Sequence, residues 1–385
     1  MQLYDVLICA LFAFLFFGER DLVKKQIALY LLAFIVFVVF SQLLFGRQYS
    51  PRQGGFYVGI EYVKFSLYLY AAVFYLFTRK LKNTLIFNPK PLGRIDGFDI
   101  ILSAPIVAFV IYYASVKGYR LDGSFMDYVG HRSVWVDYFF VYVVASLVSS
   151  RGSLLIASLA AAIAFAHLLA GERMRAFVYI LSLLIVLFNF GQRKNLSSIL
   201  LLFGFVVATF IGQIRHDNVN DNYNITHFGS VTISSLSLVE ASLNFDIYQR
   251  LKFFIGIVVA NIIPSSMLGT DMNIRAFLFE NRNIPGGGWF PVWAYAVAGY
   301  YGVALSAFFS AIFYRFLNTL KMVSGREKTN LAKYTMLVIF VATLPRWFMY
   351  TPYQIIKMPV YGFVVCYLLL AVKEAALHFR VSSQR

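Results

Sequence analysis

Residues 26–46 read QIALYLLAFIVFVVFSQLLFG, twenty-one positions without a single charge. As a helix rising 1.5 Å per residue this run is about 31 Å long, the thickness of a bilayer's hydrocarbon core. No soluble helix needs to be apolar on every face for that length, so the run reads as a membrane span. The rest of the chain agrees with it. Sixty per cent of the 385 residues are hydrophobic and the mean hydropathy is +0.69, beyond what a soluble domain of this size carries.

Working outward, apolar runs long enough to cross recur near 3–18, 26–46, 56–77, 100–116, 136–150, 153–171, 176–190, 196–214, 289–314, 334–350 and 360–378. The expected fold is therefore all-α, a polytopic transmembrane bundle of about eleven spans forming one integral membrane domain over 1–385. Runs five and seven are short, and the pair Arg151-Gly152 also fits one long broken helix. Both cysteines, Cys9 and Cys366, lie inside apolar runs, so no disulfide framework is expected. The first run has no basic leader and no cleavage signature, and is expected to remain as a span.

Lysine and arginine accumulate in cytoplasmic loops. Alternate loops are basic: Arg20, Lys24 and Lys25; Arg79 to Arg94; Arg193 and Lys194; Arg315 to Lys333; and Lys373 to Arg385. These fall on one side if the N-terminus is outside and the C-terminus inside, which eleven spans satisfy. The net charge of +16 is then largely a topology signal, and no nucleic-acid partner is implied. The opposite face still carries eleven arginines against three lysines, where the cytoplasmic side has nine against ten. A planar guanidinium fork suits bidentate capture of phosphate or carboxylate, whereas lysine suffices for topology. The outer face is expected to hold an anion, although snorkelling and interfacial pairing would account for individual arginines.

Between the eighth and ninth runs lies one long outer loop, residues 215–288. It opens on a polar stretch, RHDNVNDN (215–222), continues through apolar and aromatic residues, and closes on Ile284-Pro285-Gly286-Gly287-Gly288-Trp289-Phe290. Its middle is expected to form amphipathic helices along the outer surface, or a re-entrant pair, covering a cavity. The three glycines let backbone approach a ligand or a neighbouring helix, or serve as a flexible entry to the next span. Within the spans, Glu61 and Lys64 stand three apart on one helix face and are expected to pair. His167 is expected to be a bundle-facing polar contact. The five histidines have no metal-ligand spacing, and no phosphate loop, nucleophile elbow or Cys-x-x-Cys occurs, so neither a metal nor a cofactor is expected.

Two segments carry a family resemblance. Gly171-Glu172-Arg173-Met174-Arg175 resembles the Gly-x-Arg step between mid-chain spans of bacterial Wzy-type oligosaccharide repeat-unit polymerases, the O-antigen and capsule polymerases. Gly286-Gly287-Gly288-Trp289-Phe290-Pro291, followed by Tyr295, Gly299 and Gly302, is similar to their glycine-rich loop end running into an aromatic helix. The acidic residue often found before that helix is absent. Ile262-Ile263-Pro264 and Leu344-Pro345-Arg346 also look like features of that family.

The resemblance implies a GT-C-like fold in a bacterial inner membrane, with a periplasmic N-terminus, a cytoplasmic C-terminus and a periplasmic 215–288 loop. It implies undecaprenyl diphosphate-linked oligosaccharides as substrates, and a chain-length regulator and flippase as neighbours in the membrane. Arg173 and Arg275 would be catalytic, with Glu172, Asp271, Glu280 and His216 as candidate bases. Arg175, Arg282, Arg346 and Gly286 to Gly288 would join Arg173 and Arg275 in holding the diphosphate and glycan. An O-antigen ligase is the nearest alternative, but a histidine close to the glycines would then be expected, and His227 lies about sixty residues upstream. A lipid-oligosaccharide flippase would be expected to show two related halves. A structural membrane subunit would leave the arginine bias unexplained.

Overall fold

The structure is a computed structural model that describes residues 3–40, 56–81, 96–117, 135–169, 172–188, 195–204, 206, 227–263, 267–269, 271–274, 276–277, 287–318, 327–350 and 352–382. The described residues are helical, with no strand among them. In chain order the helices are α1 (Leu3–Gly18), α2 (Leu22–Phe34, continued by a π turn over Ile35–Val39), α3 (Phe56–Thr78), α4 (Gly97–Lys117), α5 (Trp135–Ser149), α6 (Leu154–Leu169) and α7 (Arg173–Phe188). There follow α8 (Asn195–Gly204), α9 (His227–Leu243), α10 (Ile247–Ala260), α11 (Phe290–Asn318), α12 (Glu327–Ala342), α13 (Leu344–Met349) and α14 (Lys357–Ser382). A helix stands at every one of the eleven apolar runs. Among the described residues, four stretches, Leu22–Val39, Gly59–Thr78, Phe290–Asn318 and Lys357–Ala376, are long and apolar enough to cross a membrane.

The chain divides into two compact units. One gathers residues 1–82, 193–315 and 344–357, the other 83–192, 316–343 and 358–385. The sequence reads as a single membrane domain and gave no sign of this interleaving.

The first unit is built around α2, which begins just before the charge-free run and whose residues from Leu22 to Leu31 are all buried. Asp21 caps it, accepting from the backbone N–H groups of Val23 and Lys24 at 3.0 and 3.1 Å, as an N-cap carboxylate should. The same carboxylate accepts from the Tyr314 hydroxyl at 2.6 Å. Burial pushes its pKa up against the lowering by that hydrogen bond and by Lys24. Lys25 is also buried and donates to Ser197 and Ser198 at 2.7 Å each. Lysines that read as topology signals are thus structural as well.

At the far end of α1, Tyr4 and Asp5 meet Glu61, Lys64 and Tyr68 of α3, while Tyr75 near the end of α3 donates to the Lys24 carbonyl at 2.6 Å. Helices α1 and α3 therefore run side by side in one direction, with α2 returning between them.

Helix α11 departs from a plain span. Phe290 lies against Tyr70 at mid-length of α3 (5.6 Å between ring centroids), Tyr295 against Tyr62 near its start (5.4 Å), and Tyr314 against Phe74 near its end (6.1 Å). The chain climbs along α3 and then comes back down. The reversal is made at Ala298 (φ −140°, ψ 25°) and Gly299 (φ 61°, ψ −154°), the latter a conformation essentially reserved for glycine. Beyond it, Gly302 has no side chain where the Ala294 carbonyl passes. The returning leg, 300–318, is about 28 Å long, enough to span the hydrocarbon thickness by itself. The run expected as one span over 289–314 is a short re-entrant leg folded back at Ala298-Gly299 into a longer one.

In the second unit α5 and α7 pack against α12, which is buried almost continuously from Asn330 to Ala342; α14 meets it at Gly362, and α6 packs on α7 with α4 against α6. Arg151-Gly152 ends α5 rather than bending it. The Gly152 N–H reaches the Leu147 carbonyl at 2.7 Å and the Arg151 N–H that of Val148 at 2.9 Å, a Schellman cap with Arg151 itself at φ 54°. Arg151 pairs with Glu327, Lys328 with Glu374 and Lys373 with Asp96, all at one end of the unit. The run expected over 334–350 is likewise divided, because Pro345 cannot continue the ladder of α12. The break at Thr343 is also the boundary between the two units.

Candidate functional site

Glu172 is the residue immediately before α7. The Glu172 N–H returns to the His167 carbonyl at 2.8 Å, and the Glu172 carbonyl accepts from Arg175 and Ala176 at 2.9 and 3.1 Å, closing the first turn of α7. The Glu172 carboxylate is gripped from both sides. His167 Nδ1 donates to Oε2 at 2.7 Å and Arg175 to Oε1 at 2.6 Å, while Arg175 Nε donates to Asp137 of α5 at 3.1 Å. The His167 ring lies over Tyr179, which stands edge-on to Phe140.

His167 is thus the bundle-facing polar contact expected of it. Arg175, expected to help hold the diphosphate and glycan, is bound on two sides by carboxylates of the protein, as suits a guanidinium, the cation best able to bridge two of them. Asp137 was missed. Its only signal is an acid at the start of an apolar run, with nothing in the sequence to tie it to Arg175.

Burial by itself would raise the Glu172 pKa, but the His167 hydrogen bond and the Arg175 charge outweigh it and hold the carboxyl well below the usual carboxylate range. A depressed folded pKa stabilises the protein above the unfolded value of about 4.3 and loses that stabilisation as pH falls toward the folded one. Solubilised wild-type protein should therefore lose melting temperature progressively below about pH 4.5, with Glu172→Gln lacking that part of the slope. Parallel melting profiles for the two proteins would show that the pair contributes nothing to folding.

Arg173 opens α7, with its side chain outside the described residues. Arg275, Glu280, Arg282, Gly286 and His216 lie outside them too. In the other unit, Asp271 is exposed and pairs with Lys252 at 3.2 Å. Gly287 is buried with Tyr350 occupying the place of a side chain, and the Gly288 carbonyl accepts from Trp293 Nε1 at 2.9 Å. Trp289 donates its backbone N–H to Ser235 at 2.9 Å and its indole N–H to Thr232 at 3.1 Å. Gly287 and Gly288 thus serve a close approach between protein segments, one of the roles the sequence offered. Arg346, half-buried on α13, belongs to the same unit, while Glu172, Arg173 and Arg175 belong to the other.

Two further cations of the supposed outer face are structural. Arg250 donates to the carbonyls of Ser242, Phe245 and Ala296 at 2.6, 3.2 and 3.0 Å, and the last of these sits beside the break in α11, where helical pairing fails. Lys357 donates to the carbonyls of Ala260 and Ile263 at 2.9 and 3.3 Å, closing the C-terminal end of α10 as a cation does well.

The Glu61–Lys64 pair forms as expected at 3.1 Å, within a larger cluster. Lys64 also meets Asp5 at 3.0 Å and the Tyr4 hydroxyl at 2.9 Å, and Tyr4 donates to Glu61 at 2.9 Å. Among the described residues, no three His, Cys, Asp or Glu side chains converge as metal ligands would. Comparison with known protein families, with curated proteins and with solved structures found no match to this chain.

Proposed function

We propose that the chain is an integral membrane glycosyltransferase that polymerises lipid diphosphate-linked oligosaccharide repeat units, with eleven crossings and its N-terminus on the periplasmic side of a bacterial inner membrane. The observation that carries this is the charge-locked start of α7 at Glu172 to Arg175. Glu172, fixed by His167 and Arg175, holds the start of α7, so that Arg173 heads a helix whose N-terminal dipole favours an anion. A diphosphate leaving group needs that kind of preorganised positive field as its charge develops.

Support for the alternating topology comes from the ion pairs. Arg175 with Asp137, Lys64 with Asp5, Arg151 with Glu327 and Lys373 with Asp96 each join residues that eleven alternating crossings put on the same side. In the transfer, a sugar hydroxyl of the incoming unit attacks the anomeric carbon of the growing chain. The bond from that carbon to the diphosphate oxygen breaks, the lipid diphosphate leaves with the electron pair, and the hydroxyl proton passes to a base or to water.

The test is the glycan ladder of a strain lacking the gene, complemented with wild type, Arg173→Ala or Arg275→Ala. Both variants should leave a core-plus-one-unit band and no ladder, at undiminished protein level. Wild-type ladders from both would sink the polymerase assignment. Loss of every glycan-bearing band on deletion, with lipid-linked precursor accumulating, would point to ligation or flipping instead.

A further inference from the structure

The cluster around Lys64 is asymmetric. Of the two carboxylates that pair with the ammonium, the Asp5 side chain is sealed at 1% exposure and the Glu61 side chain is open at 40%. Glu61 sits where the re-entrant leg of α11 turns over. Tyr62, beside it on α3, lies 5.4 Å from Tyr295, and Tyr295 lies 5.0 Å from Tyr300 across the Ala298-Gly299 reversal. Tyr300 and Tyr301, just past the reversal, are 38% and 86% exposed. The turn holds three phenol rings beside the stretch of α3 that carries this accessible carboxylate, at the end of the unit opposite the Asp21–Tyr314 hydrogen bond.

We propose that Glu61, Tyr62, Tyr295 and Tyr300 form a carbohydrate-binding subsite that holds a sugar of the lipid-linked glycan. A sugar ring offers an apolar face to an aromatic surface and hydroxyl donors to its side, and this cluster matches both. The carboxylate is an acceptor whose remaining lone pairs are oriented by Lys64 and by the Tyr4 hydroxyl, so that a hydroxyl bonded to it gains charge assistance. A phosphate would be repelled by Glu61, and a lipid chain has no use for it. The cluster contains no group that the diphosphate chemistry of Arg173 requires. It therefore complements that site as a holder of glycan.

This subsite rests on the polymerase reading, and the experiment separates the two. The deletion strain is complemented with wild type, Glu61→Gln, Tyr300→Ala and Tyr300→Phe, and ladder, membrane protein level and melting temperature are followed together. Glu61→Gln keeps the shape and leaves Lys64 its Asp5 partner. It should cut long-chain polymer at least about tenfold, and Tyr300→Ala about fivefold, while Tyr300→Phe keeps the ring and the ladder. Level and melting temperature should match wild type in all three.

Wild-type ladders in Glu61→Gln and Tyr300→Ala would overturn the subsite and leave the polymerase reading standing. Ladder losses that track a lowered melting temperature, in Tyr300→Phe as in Tyr300→Ala, would make the rings structural and overturn it equally. An intact ladder in the deletion strain itself would remove the polymerase reading and the subsite with it.

Discussion

Lys64→Met should lower the unfolding free energy by about 3–5 kcal/mol, because it deletes one partner of a buried ion pair and leaves the Asp5 carboxylate without its ammonium counter-charge. The ammonium is 4% exposed and Asp5 1%, so no water replaces it. Methionine is near enough in volume that packing is spared and the loss reports the charge. Adding Asp5→Asn to Lys64→Met should restore more than half of the deficit, since two neutral side chains carry no desolvation debt. Denaturant unfolding in mixed micelles measures all three proteins. A Lys64→Met protein within about 1 kcal/mol of wild type would mean that Asp5 is hydrated or protonated, and that the network does not hold α1 to α3.

That network also shows how far the sequence could be read. Glu61 and Lys64 share one helix face and three residues of spacing, a relation that periodicity exposes directly, and their pairing follows. Asp5 lies fifty-nine residues from Lys64, and its partnership depends on α1 and α3 running in one direction at one depth. Only the full topology supplies that. The same limit applies to Arg175. Its i,i+3 contact with Glu172 was within reach, but its second carboxylate, Asp137, comes from another helix.

Apolar runs bounded by charge located the helices well, because hydrocarbon thickness and the cost of burying charge act on each run separately. They could not distinguish Arg250 and Lys357, which satisfy backbone carbonyls, from arginines available to a substrate. They also could not reveal the reversal within α11. An apolar stretch of twenty-nine residues looks the same to hydropathy whether straight or folded, and Gly299 and Gly302 entered the reading only as part of a resemblance.

The junction that the reversal depends on gives the other large effect. Trp289→Ala should cost about 3–5 kcal/mol, the usual range for removing a fully buried indole whose cavity cannot collapse. Its ring stands edge-on to Phe34 of α2 at 5.9 Å and to Phe348 of α13 at 5.8 Å, and both hydrogen bonds from Trp289 reach α9. One residue thus ties the end of the glycine-rich stretch to three helices. In a membrane bundle, packing and buried hydrogen bonds supply the association that the hydrophobic effect supplies in water. Trp289→Phe keeps most of the ring contact and the backbone bond to Ser235, losing the indole N–H to Thr232, and should cost only about 1 kcal/mol. Unfolding midpoints separate the two substitutions, and limited proteolysis localises the damage. Cleavage confined to the segment between α10 and α11 in Trp289→Ala, with α1 to α3 protected, is the expected pattern. Equal costs for Phe and Ala would mean that the hydrogen bond to Thr232, not the packed ring, seats the re-entrant leg.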